Sequence, residues 1–90
     1  MQIEFDPVKR DATLSERGLD FLDAGTVIEN AIATFVDDRF DYPEPRSVTY
    51  GFLDGRLMVV VWTPVDHGIR MISMRKANDR EQARYKARMD

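Results

Sequence analysis

The chain has no cysteine and a single histidine, His67, in 90 residues. Without cysteine there is no disulfide framework, no thiolate nucleophile and no cysteine-ligated zinc, and one histidine cannot complete that metal's usual nitrogen or sulfur shell. Long apolar runs are missing too, since nothing approaches the ~20 uninterrupted apolar positions of a membrane-spanning helix. The opening Met1-Gln2-Ile3-Glu4-Phe5-Asp6 lacks the basic flank and apolar stretch of a secretory signal, so a cytoplasmic location is expected. There is no glycine-rich phosphate cradle and no serine on a glycine-flanked elbow, which removes two common routes to phosphoryl and acyl transfer. No cofactor is expected, and stability has to come from packing.

What is present suffices for one domain spanning residues 1–90. Apolar residues make up 43% of the chain, and a chain of this size buries roughly 60% of its unfolded surface, leaving no room for a second core. The net charge of −3 hides an asymmetry: residues 1–66 carry 6 Lys/Arg against 13 Asp/Glu, whereas residues 67–90 carry 7 against 3. A local basic surface can attract phosphate on an acidic protein, although a solvated helix face explains such a run equally simply.

Local signals define the elements. Asp6-Pro7 starts a helix, because Asp caps the orphan amides and Pro has its φ preset, and Gly18 closes it. Lys9, Thr13 and Arg17 share one face of that helix. A second helix begins at Asp20 and turns Phe21, Ala24, Val27 and Ile28 toward a core. Ile32 to Val36 is a strand, followed by an acidic, turn-rich loop to Pro45 and a second strand over Arg46 to Leu53. Asp54-Gly55 marks a type I′ hairpin. Leu57 to Trp62 has no polar alternation and is expected to be a central strand. Pro64 to Gly68 is a longer turn, Ile69 to Arg75 a fourth strand, and Asn78 with Glu81 a capping box opening a C-terminal helix to about Met89. The expected fold is α+β, with two N-terminal helices, a four-stranded antiparallel sheet and a last helix, and it allows a short strand before the first helix. The last helix has a thin apolar face, so Tyr85 and Met89 are expected to be partly covered by another chain.

Candidate chemistry is basic rather than metallic. Asp37, Asp38 and Asp41 could together hold magnesium weakly, but in a turn-rich loop they are expected to be solvated, and His67, in a turn between Asp66 and Gly68, is not expected to be catalytic. Arginine and lysine remain, at the sheet margins: Arg46, Arg70, Arg75 and Lys76. Strict alternation places Ile69, Met71, Ser73 and Arg75 on one face and Arg70, Ile72, Met74 and Lys76 on the other, so Arg70 and Arg75 do not share a phosphate unless a bulge intervenes. Metal-free RNA cleavage needs cations on the phosphate, one group to take the 2′-hydroxyl proton and one to protonate the leaving oxygen. Arg46, Arg75 and the Lys9/Arg17 face supply cations, and Glu44 is the nearest proton acceptor.

Over residues 3–85 or so the chain resembles BrnT-type ribonuclease toxins. The resemblance rests on Phe5-Asp6-Pro7 with Lys9, on Leu14, Gly18 and Phe21, and on Asp41-Tyr42 with Glu44, Arg46 and Gly51. It continues through Asp54-Gly55-Arg56, Val59-Val60-Val61 and Thr63, and through Arg70-Met71-Ile72-Ser73-Met74-Arg75-Lys76-Ala77, to Glu81 and Tyr85. It implies a RelE-like toxin fold, translation arrest by RNA cleavage, and neutralisation by a BrnA-like antitoxin with a ribbon-helix-helix domain, through which alone the toxin meets DNA. Lys9, Glu44, Arg46, Arg70 and Arg75 match positions that the family usually fills with the same residue types, so Lys9, Glu44, Arg46 and Arg75 are expected to be catalytic, with Arg17, Arg70 and Lys76 expected to contact RNA. One departure stands out: the family commonly ends its first helix Lys-His-Gly with Asn a turn earlier, where this chain has Glu16-Arg17-Gly18 and Thr13. Arginine cannot serve as a general base. A catalytically weak, antitoxin-binding module that co-represses its operon is therefore the alternative expectation, followed by a small adaptor domain with ordinary surface arginines.

Overall fold

The computed structural model describes residues 1–89 and the side chains of residues 1–87. Strand β1 (Gln2–Glu4) leads into helix α1 (Pro7–Arg17), a 3-10 turn (Phe21–Asp23) and helix α2 (Ala24–Glu29). Four strands follow, β2 (Ala31–Val36), β3 (Ser47–Leu53), β4 (Arg56–Val65) and β5 (Gly68–Lys76), and then helices α3 (Asp79–Arg84) and α4 (Lys86–Met89). The α+β class is as expected, but the sheet is five-stranded and mixed, in the order β1-β5-β4-β3-β2. β1 pairs parallel to β5, and the other three pairings are antiparallel.

Caps and turns follow local chemistry. The Asp6 side chain accepts from the Val8 amide at 2.9 Å, and Gly18 ends α1 with φ 69°. Asp20 accepts from the Leu22 amide, yet its helix starts as a 3-10 turn. Asp54 and Gly55 both have positive φ, at 51° and 78°, as a type I′ hairpin demands. Asn78 and Glu81 form the expected capping box. The C-terminal helix is not continuous: it breaks at Tyr85 into α3 and α4.

β4 is the middle strand, and Leu57 to Val60 along it are all buried. The expected long turn after it is instead a two-residue connection, Asp66-His67, because β4 continues through Pro64, which pairs with Ile69. β3 stops at Ser47 opposite Trp62, so Pro64 lies where β4 has lost one neighbour and a residue without an N–H is tolerated.

The sheet divides the apolar residues between two faces. One carries Phe21, Ala24 and Val27 packed on Met58, Val60, Ile69, Met71 and Met74. Contact there is close enough that a Cβ on Gly51 would lie 2.0 Å from the Val27 carbonyl oxygen. A polar thread closes this face, with Trp62 Nε1 donating to Thr49 Oγ1 at 2.9 Å and Thr49 sharing a hydrogen bond with Thr34 at 3.0 Å. α1 has no buried residue. It is pinned by polar contacts instead: Arg10 grips Asp20 at 2.7 and 3.0 Å, and Arg17 reaches the Met74 carbonyl at 2.9 Å. The opposite face, with Val48, Tyr50, Leu57, Val59 and Ala77, is partly covered by α3 and Tyr85 and is walled by the loop after β2. No helix among the described residues is long and apolar enough to cross a membrane.

Candidate active site

A bulge in β5 reorganises the cations of the open face. Trp62 pairs with Met71 and Val61 with Ser73, which leaves Ile72 without a partner. Before the bulge Ile69 and Met71 point into the helix-covered core, and after it Met74 does so. The strict alternation expected from sequence is thereby shifted by one. Arg70 and Arg75 consequently lie on the same side of β5, and Lys76, opposite Met58, lies on the other.

Two adjoining hollows receive most of the expected site residues. The smaller, about 310 Å3, is lined by Lys9, Glu44, Arg46 and Arg70 together with Glu4 and Ile72. The larger, about 590 Å3, has Arg46 and Arg75 on its wall and Val48, Val59 and Val61 beneath. Arg46 and Ile72 belong to both. Arg17 lines neither, and its guanidinium donates to the Met74 carbonyl. Lys76 sits apart, in a shallow depression with Arg56 and Gln82.

Arg46 follows the loop 37–46, where the backbone amide of Asp37 donates to its carbonyl at 2.8 Å. Its guanidinium carbon lies 4.0 Å from the centre of the Tyr42 ring, a cation–π contact that sets the plane of the fork. Only a long contact, 3.4 Å, joins it to Glu44, and its Nε–H is buried with no acceptor among the described residues. A buried donor without an acceptor is costly to stability. Tyr42 in turn donates to Asp37 at 3.2 Å.

Asp37 is not solvated as the acidic loop suggested. It is buried and accepts from Arg39 Nε and a terminal Arg39 nitrogen at 2.9 and 3.0 Å, and these bonds hold its carboxyl down at about 2. No three His, Asp or Glu side chains among the described residues gather closely enough to hold a metal.

Arg75 has a different environment. Its two terminal nitrogens donate to the Glu81 carboxylate at 2.6 and 2.8 Å, Tyr50 donates its hydroxyl to the same carboxylate at 2.7 Å, and the Asn78 amide adds a fourth bond at 2.9 Å. Arg75, more than any other neighbour, depresses the Glu81 carboxyl to about 2. Burial, reinforced by the bond to Glu81, raises the Tyr50 hydroxyl to about 12. Arg75 is thus aimed and locally neutralised. Arg70 is likewise bridged to Glu4, at 2.7 Å.

Sequence reasoning passed over Tyr42, Tyr50, the second role of Glu81, and Arg84, which lines the larger hollow. Glu81 is fully explained locally as a capping residue, so nothing in its neighbourhood signals an ion pair to β5. Tyr85 packs on Tyr50 at 4.8 Å and is half-buried within its own chain. The Met89 side chain lies outside the described residues.

One sequence comparison bears on this site. A family model described as the ribonuclease toxin, BrnT, of type II toxin–antitoxin systems matches residues 5–81. The chain belongs to the BrnT family. The matched BrnT region runs from Phe5 to Glu81 and includes Lys9, Glu44, Arg46, Arg70 and Arg75. Membership marks the chain as a ribonuclease toxin with an antitoxin partner and an RNA target. No curated protein gave a match.

Proposed function

We propose that this BrnT-family chain is a metal-independent endoribonuclease, of RelE-like type, that arrests translation in the cytoplasm until a BrnA-like ribbon-helix-helix antitoxin covers it. The observation that carries the proposal is Arg46: it lines one hollow with Lys9, Glu44 and Arg70 and the next with Arg75. In the proposed reaction Arg46 holds the scissile phosphate, with Arg75 beside it and Arg70 on the flanking backbone. Glu44 takes the proton of the 2′-hydroxyl as its oxygen attacks phosphorus. The bond from phosphorus to the 5′-oxygen breaks, Lys9 gives that oxygen a proton, and a 2′,3′-cyclic phosphate remains. Charge growing on the phosphate oxygens meets the fork of Arg46, already oriented on Tyr42. Purified protein is expected to cut RNA in excess EDTA and leave cyclic phosphate ends. Loss of cleavage on chelation would refute the metal-free route.

A second reading has specific support. Arg17, where the family commonly carries histidine, is spent on the Met74 carbonyl, and Arg75 is neutralised by Glu81. Under that reading the chain cuts RNA weakly or not at all, and acts by binding antitoxin and co-repressing the operon. Growth arrest on expression without the antitoxin separates the two, since only the nuclease produces it.

A further inference from the structure

We propose that the larger hollow is a subsite for one unstacked nucleobase of single-stranded RNA, with Phe35 as its stacking surface, next to the phosphate held at Arg46. The proposal rests on the ribonuclease reading and specifies what that site takes. A hollow meant only for phosphate has little use for apolar lining, yet half-buried Val61 and Ile72 and exposed Phe35, above buried Val48 and Val59, line one of about 590 Å3 that also carries the carboxylates of Asp37, Asp38 and Glu81, within the range of small-ligand sites. Arginines stand at its margin and aromatics at its wall. Phe35 stacks on Tyr50 with ring centres 6.0 Å apart and planes at 28°, and Tyr50 continues to Tyr85 at 4.8 Å. Tyr50 is 5% exposed and Phe35 45%, so the open ring area at the end of this row belongs to Phe35.

Single exposed apolar residues need no explanation; an aromatic beside an apolar lining and two arginines has a specific one. Any base offers a π-face to such a ring, while the arginines take the flanking backbone. Ser73, half-buried opposite Val61 in the same hollow, offers a hydroxyl that both donates and accepts at a base edge. Because Arg46 and Ile72 line both hollows, a strand crossing at Arg46 leaves one base in the larger hollow and the next sugar–phosphate beside Lys9 and Arg70. A base stacked inside a duplex cannot enter, so the substrate is single-stranded or locally unpaired RNA.

The test uses the whole chain and single-stranded RNA oligonucleotides of one sequence, with an abasic site moved one position at a time, cut in EDTA. An abasic nucleotide next to the cleaved bond is expected to raise KM roughly tenfold and more distant ones to change it little. Phe35→Ala is expected to raise KM on intact RNA similarly and to erase the abasic effect, and Phe35→Trp to restore both. Uniform KM across the series and in Phe35→Ala, with intact RNA still cut, overturns the base subsite while leaving the nuclease standing. So does a Phe35→Ala protein with unchanged RNA kinetics that loses only its antitoxin complex. If the parent cuts no oligonucleotide, the ribonuclease reading fails, and fluorescence of 2-aminopurine scanned along bound RNA decides the subsite separately. Quenching that Phe35→Ala abolishes supports it, and its absence overturns it.

Discussion

The guanidinium of Arg75 and the carboxylate of Glu81 form a two-pronged ion pair, at 2.6 and 2.8 Å, that ties the last long strand to the helix after it. Glu81 is 7% exposed and also caps its own helix, so one side chain holds α3 against the sheet and fixes the direction of Arg75. A buried carboxylate with four donors is stabilising only while it is charged.

Acid should therefore unfold the protein in a defined window. The Glu81 carboxyl is lowered from 4.5 to about 2 by folding, so its contribution is complete above pH 4.5 and drains away as the pH falls toward 2. Asp37, lowered from 3.8 to about 2 mainly by Arg39, acts in the same direction. Urea midpoints are expected to fall steeply between pH 5 and 2 in the parent, and less steeply in Glu81→Gln, where Asp37 and Asp20, the latter lowered mainly by its bond from Arg10, remain. Parallel slopes in the two proteins would show that the pair does not operate in solution.

Gly51 should be intolerant of any side chain. A Cβ there meets the Val27 carbonyl oxygen at 2.0 Å and its carbon at 3.0 Å, and backbone cannot step aside as a flexible side chain can. Gly51→Ala is expected to cost at least about 2 kcal/mol, seen as a fall in Tm of roughly 10 °C or more for a domain this small. A Tm within a degree or two of the parent would show that α2 does not press on β3 as described.

Arg17 should matter for stability and little for chemistry. Its one polar contact pins the end of α1 to the Met74 carbonyl, and it lines neither hollow. Arg17→Ala is expected to lose about 1 kcal/mol of stability and to keep kcat for RNA cleavage within about twofold. A large loss of kcat with unchanged stability would return Arg17 to the reaction.

Much of this architecture was legible from local chemistry. Asp6, Gly18, Asn78 and the Asp54-Gly55 turn each carry their instruction within a few residues, and the unbroken Val59-Val60-Val61 run marks the middle strand. The rest depends on partners far along the chain. Three residues, Gln2 to Glu4, hold too little pattern to announce a strand, and β1 exists because β5 offers it an edge. The bulge at Ile72 has no signature in composition, yet it reverses the side on which Arg70 lies relative to Arg75. In the candidate site, Lys9, Glu44, Arg46 and Arg70 were identifiable and do meet in one hollow. Tyr42 beneath Arg46, and Glu81 beside Arg75, were hidden because each is an ordinary loop or capping residue until the fold closes.

The central claim is that Arg46 links the two hollows into one phosphate-holding site. The most direct test is the single-turnover rate of RNA cleavage in EDTA by Arg46→Ala, beside Arg46→Lys, at saturating protein. Losing a preorganised cation at the reacting phosphate is expected to slow cleavage about 100- to 1,000-fold. Lysine, without the fork or the stacking plane on Tyr42, should recover little of it. A folded Arg46→Ala protein cutting within a few-fold of the parent rate would contradict the account.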